Sequence, residues 1–414
     1  MNVNTSVQSL RSPLQAKWGA VVAMALCATV LISSEFLPVS LLTPLAADLG
    51  ITEGHAGQSI SISGLFALLT SLFIPGLIGV RDRRQVVLFL TSLMAVSGLM
   101  VAFAPNAAVL MTGRALLGIS IGGFWSISTA IVMRLVPRES IPKALALLNG
   151  GNAAAATLAA PLGSLLGSMI GWRGAFFCVV PLAAVAFIWQ WRSVPALPAE
   201  KSGARIGAVF ALLGQRQAGL GMAAVMLLFM GQFMLFTYLR PFLEVVTNSN
   251  APLLSLLLLI AGIAGIVGTW LIGILLRTRL HSLLIAIPAL MGIIAAGLPL
   301  FGRSPLSTGI LLAVWGLLGT AAPVGWGTWL SRTLPRNAEA GGSLMVAVIQ
   351  LGITAGAVGG GLLFDLHGYP VTFAFSASIL FLGAFLAVLT RSADHRLPAP
   401  LTLMKPNPIT HGTL

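Results

Sequence analysis

Two ionisable side chains stand inside stretches that otherwise hold only apolar and small polar residues. Glu35 is the sole acidic residue of a run from about Trp18 to about Leu45, and Arg114 interrupts another from about 108 to 133. A carboxylate at membrane depth costs roughly 2.5 to 3.5 kcal/mol on insertion scales, so such groups mark pathways and proton relays. A guanidinium cannot shed its proton, and a lone carboxylate in a dry site neutralises, so an ion pair is the cheapest arrangement for both. Glu35 lies about nine residues before Pro44, and Arg114 about six after its own run begins, which at about 1.5 Å per residue puts both roughly 9 to 14 Å below one surface. The expectation is a pair with Glu35 as the proton-coupling carboxylate and Arg114 tuning it. Burial favours the neutral acid and the guanidinium favours the ionised one, so a balanced site can load a proton on one side and release it on the other. A static structural pair is the alternative.

Further candidates surround that pair. Arg240 precedes Pro241 and has Glu244 four residues on, a spacing that suits a helical ion pair; anchoring at the interface is the expected role and a gate the alternative. Phe36, Phe124, Trp125, Phe236 and Trp326 offer flat faces for stacking a ring, and Asn149, Asn152, Gln232 and Gln350 offer amides. Pockets for small organic ligands combine a mostly apolar wall with a few such groups. For each aromatic, simple packing competes with substrate stacking, and for each amide a hydrogen bond between helices competes with a substrate contact.

No hydrolytic, zinc-binding or nucleotide-binding motif occurs, and the histidines (His55, His281, His367, His395 and His411) are dispersed. Cys27 and Cys178 form no CxxC pair. An enzyme, a metal site and a cofactor are therefore not expected, and without a nucleotide fold transport must draw on an ion gradient.

The elements that position these residues are long helices in lipid. Over 414 residues the chain is 57% hydrophobic and 8% charged, with mean hydropathy +0.97, whereas a soluble domain is about a quarter charged. Unbroken apolar runs of about 20 residues call for helices rather than the alternating ten-residue segments of a barrel. The sequence predicts twelve spans near 18–45, 57–80, 86–104, 108–133, 143–170, 174–191, 218–243, 253–276, 282–302, 307–331, 340–364 and 371–390. The first run is too long for a cleaved leader and is expected to stay as a span.

Of the 23 Lys and Arg residues, all but Arg114, Arg173, Arg240 and Arg303 fall at one set of alternating loops and the two tails. Such loops stay in the cytoplasm, so both termini are expected there. That distribution also accounts for the net charge of +13 through topology and lipid headgroups. No nucleic-acid partner is implied, because a nucleic-acid reader gathers its basic residues on one face.

An internal repeat divides the chain. LLGISIGGFW from Leu116 to Trp125 precedes RLVPR from Arg134, and LLGTAAPVGW from Leu317 to Trp326 precedes RTLPR from Arg332. The organisation read from this is a cytoplasmic tail (1–16), a six-helix bundle (17–192), a cytoplasmic linker (193–216), a second six-helix bundle (217–391) and a proline- and threonine-rich, disordered tail (392–414). Parallel repeats of this kind place a substrate site near the midplane between halves. Trp125 and Trp326 would then face each other, and the small residues of GGNAAAATLAAPLGSLLG from Gly150 and GITAGAVGGG from Gly352 would let the helices approach closely.

These residues resemble the major facilitator superfamily, and within it the drug:proton antiporter branch. The fourth-span pattern is present as GRALLGISIGG from Gly113 and a fifth-span pattern as APLGSLLG from Ala160. The loop after the second span departs: GVRDRR from Gly79 has Gly where the family has Asp, and Asp82 where it has Gly. No gating role is carried to this loop, and Asp82 is expected as a solvated charge, with pairing to a neighbouring helix end as the alternative. EFLPVSLLTP from Glu35, GGFW from Gly122, MRLVP from Met133, FTYLRP from Phe236, PVGW from Pro323 and VAVIQL from Val346 are similar to the bacterial purine ribonucleoside efflux pumps, from about residue 17 to 390.

The reading is an all-α membrane protein with the major facilitator fold, twelve helices in two pseudo-symmetric bundles. It is a bacterial inner-membrane, proton-coupled antiporter exporting purine ribonucleosides. Its partners are a small-molecule substrate, protons and membrane lipids, with no obligate protein partner. The alternatives are a drug or sugar exporter of the same superfamily and, from another class, a membrane receptor or scaffold that does not transport.

Overall fold

The computed structural model describes residues 16–79, 81–198, 211–334 and 338–394. Most of the amino-terminal tail, the middle of the linker and most of the disordered-tail reading lie outside those residues. Within them the chain is helical: α1 Trp18–Leu49, α2 Glu53–Ile78, α3 Arg83–Ala102, α4 Ala107–Leu135, α5 Ile141–Phe177, α6 Val179–Ser193, α7 Arg216–Phe236, α8 Leu239–Val245, α9 Ala251–Phe301, α10 Pro305–Thr333 and α11 Ala338–Asp394.

Short polar residues set the helix starts. Thr52, Asp82, Asn106 and Asn250 each accept a backbone N–H of the first turn of α2, α3, α4 and α9, satisfying donors that have no partner within the helix. Asp82 is thus not a solvated loop charge. Its Oδ1 takes the backbone N–H of Arg84 at 2.8 Å and that of Leu197 at 2.8 Å, so one carboxylate caps α3 and fixes the start of the linker.

Among the described residues ten helices are long and apolar enough to cross a membrane. Two of them, Lys143–Ser193 and Gly341–Arg391, run 51 residues each, about 76 Å at helical rise, over a hydrocarbon layer of about 30 Å. Each is interrupted by a glycine with positive φ, Gly171 (74°) and Gly368 (73°), a conformation that a Cβ disfavours. An aromatic residue follows each break and packs edge-on against a ring four residues on: Trp172 on Phe176 and Tyr369 on Phe373. The chain turns there because glycine frees the backbone and the ring holds the new direction.

Buried apolar side chains form two clusters. One is drawn from α1–α6 plus Tyr238, the other from residues beyond 211 plus Val39, Ile60 and Ala160. The outer faces are apolar too: Leu77, Phe89, Trp270 and Leu300 are among many large side chains left exposed, an arrangement suited to lipid and not to water.

Candidate functional site

Two prolines inside α1, Pro38 and Pro44, determine the local chemistry. Proline has no N–H, so the carbonyls four residues earlier, at Ser34 and Ser40, lose their helical donors. An arginine takes each. Arg114, fully buried on α4, donates from Nη1 to Ser34 O at 2.7 Å and from Nη2 to Glu35 O at 3.1 Å. Its Nε donates to Ser59 O at 3.0 Å and its Nη2 also to Ser63 Oγ at 3.1 Å. Arg240 donates to Ser40 O across the two halves and from Nε to Glu244 Oε1 at 2.8 Å.

The expected contact between Arg114 and Glu35 is therefore corrected. The guanidinium binds the backbone of Glu35, not its carboxylate, because the broken α1 offers free carbonyls within reach of the fork. Arg114 bears on the Glu35 carboxyl through space, and the Gln350 side chain of α11 approaches that carboxyl from the opposite half. Glu35 and Gln350 are 4% and 6% exposed.

Beside them lies an aromatic cluster. Phe36 stacks on Phe233 with ring centroids 5.8 Å apart and planes inclined 28°, and Phe233 meets Phe236 edge-on at 6.1 Å. Phe36 and Phe236 are partly buried. Gln232 belongs to the same turn of α7, and its Oε1 is buried without a hydrogen-bond partner. Glu35, Phe36, Gln232, Phe236 and Gln350 thus occupy the facing elements α1, α7 and α11.

The other candidates separate from this group. Phe124 (0% exposed) and Trp326 (1%) lie in the cores of their halves, Trp326 against Trp329 at 5.4 Å. Their stacking faces are consumed by packing, which corrects the expected confrontation of Trp125 with Trp326. Trp125 stays half-buried, edge-on to Phe124 at 5.7 Å. Asn149 is exposed and folds back on Leu145 O at 2.9 Å, and Asn152 is half-buried. Phe233 escaped the sequence reading because a phenylalanine within an apolar run carries no contrast.

A sequence profile of the Major Facilitator Superfamily matches residues 24–343. The chain belongs to that superfamily. A Pseudomonas aeruginosa relative called transcription regulatory protein OpdE is 55% identical over 388 residues, 92% of this chain and 95% of the relative. The purine ribonucleoside efflux pump NepI of Salmonella typhimurium is 42% identical over 367 residues, 89% of this chain and 92% of the pump. Among solved structures, the nucleoside transporter NupG superposes with a TM-score of 0.73 at 14% identity, and the human organic anion transporter MFSD10 (TETRAN) with 0.62 at 19%. Each match covers 90% of this chain and 99% of the other; at these identities they show the fold. The superfamily and the helices together make this a multi-pass membrane transporter, working by transport rather than catalysis.

Proposed function

We propose that the protein is a proton-coupled antiporter of the bacterial inner membrane that exports purine ribonucleosides. The observation that carries this reading is a buried carboxyl on α1 facing an amide on α11, beside the ring cluster of Phe36, Phe233 and Phe236. Phenylalanine faces suit a purine base, and Gln350 and Gln232 suit its polar edge or the ribose. The efflux pump relatives, 42% identical over most of both chains, support the substrate class.

The positive φ of Gly171 and Gly368 supports a reading in which the two 51-residue helices each cross twice, twelve spans in all. Six before the linker and six after it form two bundles, 17–192 and 217–391, with both termini in the cytoplasm beside the basic loops. In the cycle, Glu35 ionised accepts a charge-assisted hydrogen bond from Gln350, and protonation weakens that bond. Proton loading thereby weakens a tie between halves, and substrate binding at the same place competes for the amide. Arg114 holds α1 at its break so that Glu35 keeps its place.

Counterflow of labelled inosine in proteoliposomes tests the assignment. Exchange with internal inosine is expected. Exchange only with drugs or sugars would move the protein to another substrate class. A second reading, a membrane regulator without turnover, is favoured by one observation, the regulatory name of the 55% identical relative; absence of exchange with any solute would establish it.

A further inference from the structure

At the end of the bundle that holds the α1–α2 turn, the two halves are joined by groups outside the candidate site. Asp365 of α11, three residues before the break at Gly368, reaches across to the start of α2. Its Oδ2 accepts from Thr52 Oγ1 at 2.6 Å and its Oδ1 from the backbone N–H of Gly54 at 2.9 Å. Thr52 is itself the cap of α2, accepting from His55 N at 3.0 Å. A helix start has unpaired N–H groups and a partial positive charge, so a carboxylate from the opposite half completes a cap that α2 makes only in part.

Tyr238 lies in the same seam. It sits at the α7–α8 break, is fully buried, and belongs to the amino-terminal half's core cluster although it comes from the other half. Its hydroxyl donates to Ala357 O at 2.8 Å and its ring stacks on Phe364 at 5.2 Å. Gly57 makes the room, since a Cβ there would stand 2.1 Å from Tyr238 Oη. Arg240 on Ser40 O lies at the same end. The Tyr238 hydroxyl also stands 3.5 Å from Gly54 O across the seam, and a further tie between the halves, Thr354 Oγ1 to Ser61 O at 3.4 Å, lies midway along α2.

We infer that Asp365 and Tyr238 form a seal that closes this end and has to part in each cycle, Asp365 by leaving the start of α2 and Tyr238 by leaving the hollow at Gly57. A helix start bound by one half's own residues would stay capped as the halves move. One capped from across the seam is capped only while the seam is closed, so the cap is a two-state element of the kind that alternating access requires. The inference rests on the transporter reading, because only moving halves need a seal.

The experiment places spin labels at Ala108 and Leu306, exposed on opposite halves at this end, in protein whose Cys27 and Cys178 are serine, and reads the distance between them. Asp365→Ala and Thr52→Val are each expected to enrich the longer, open distance by roughly threefold to tenfold, the worth of a lost hydrogen bond. The double variant should add little to Asp365→Ala alone, because that change already removes the contact with Thr52. Gly57→Ala, which drives Tyr238 from its hollow, should enrich the open distance while keeping Asp365. Distances unchanged in all these variants, with monodisperse protein, overturn the seal. Wild-type distances that respond to a pH gradient, with no shift in the variants, overturn it while sparing the transport reading.

Discussion

Aligning Leu116–Trp125 with Leu317–Trp326 puts Trp315 of α10 at the place of Arg114 of α4. Both side chains are buried, at 3% and 0% exposure, yet one is an indole in an apolar core and the other a guanidinium with four hydrogen bonds to α1 and α2. The same helix in the two halves therefore does different work. In the carboxy-terminal half it fills space against α9. In the amino-terminal half it satisfies the carbonyls that Pro38 leaves open, one residue from the carboxyl at the seam. The two copies of the repeat thus carry different chemistry, and the guanidinium stands in the copy that meets the α1 carbonyl left open by Pro38.

The largest effect that would break this comparison comes from exchanging the two residues. Arg114→Leu leaves the carbonyl of Ser34 without its donor inside lipid and Glu35 without a nearby cation; removing one member of such a buried charged set costs about 3 to 5 kcal/mol. The measurement is thermal stability in detergent, with Trp315→Leu as the matched apolar change. The Arg114 variant is expected to fall further, and equal losses would contradict the asymmetry.

The two tryptophans of the repeat sharpen the contrast at the next level. Trp326→Ala empties a core position and is expected to cost about 3 to 5 kcal/mol of stability, with the KM of the surviving transporter unchanged. Trp125→Ala, at a half-buried position outside the cluster of Phe36, Phe233 and Phe236, is expected to leave stability nearly intact, again with KM unchanged. A raised KM in either variant would return that tryptophan to the substrate path. The smallest effect belongs to Pro38→Ala. Restoring an N–H at residue 38 gives Ser34 O a helical donor and weakens the hold of Arg114 on α1. Stability should change by only about 1 kcal/mol, while the response of transport to the pH gradient falls, measured as efflux against imposed gradients.

What could be read from the residues alone follows from contrast. In a chain with 8% charged residues, Glu35 and Arg114 stand out as charges in lipid, and Gln350 and Gln232 as amides without water. Helix positions followed from the apolar runs, and the two long helices broke near the predicted loops at 171–173 and 365–370. The partner of Arg114 was misjudged because opposite charges invite pairing, while the free carbonyl at Ser34 leaves its trace only in Pro38, four residues later. A proline within a span, with an arginine on a neighbouring span, is the signal that would have found it. Phe233 and Tyr238 left no trace, since aromatic side chains within apolar runs look alike whether they face core, seam or lipid. Asp365 has no sequence signal of its own, because its contact with Thr52 spans 313 positions, which no local pattern records.

The central claim is that the carboxyl of Glu35 carries the proton that drives export. Its direct test is Glu35→Gln in proteoliposomes with an imposed pH gradient and labelled inosine. The account predicts that gradient-driven accumulation disappears while inosine–inosine counterflow persists, because an amide keeps the shape and a hydrogen bond to Gln350 but cannot exchange a proton. Undiminished gradient-driven accumulation in that variant would contradict it.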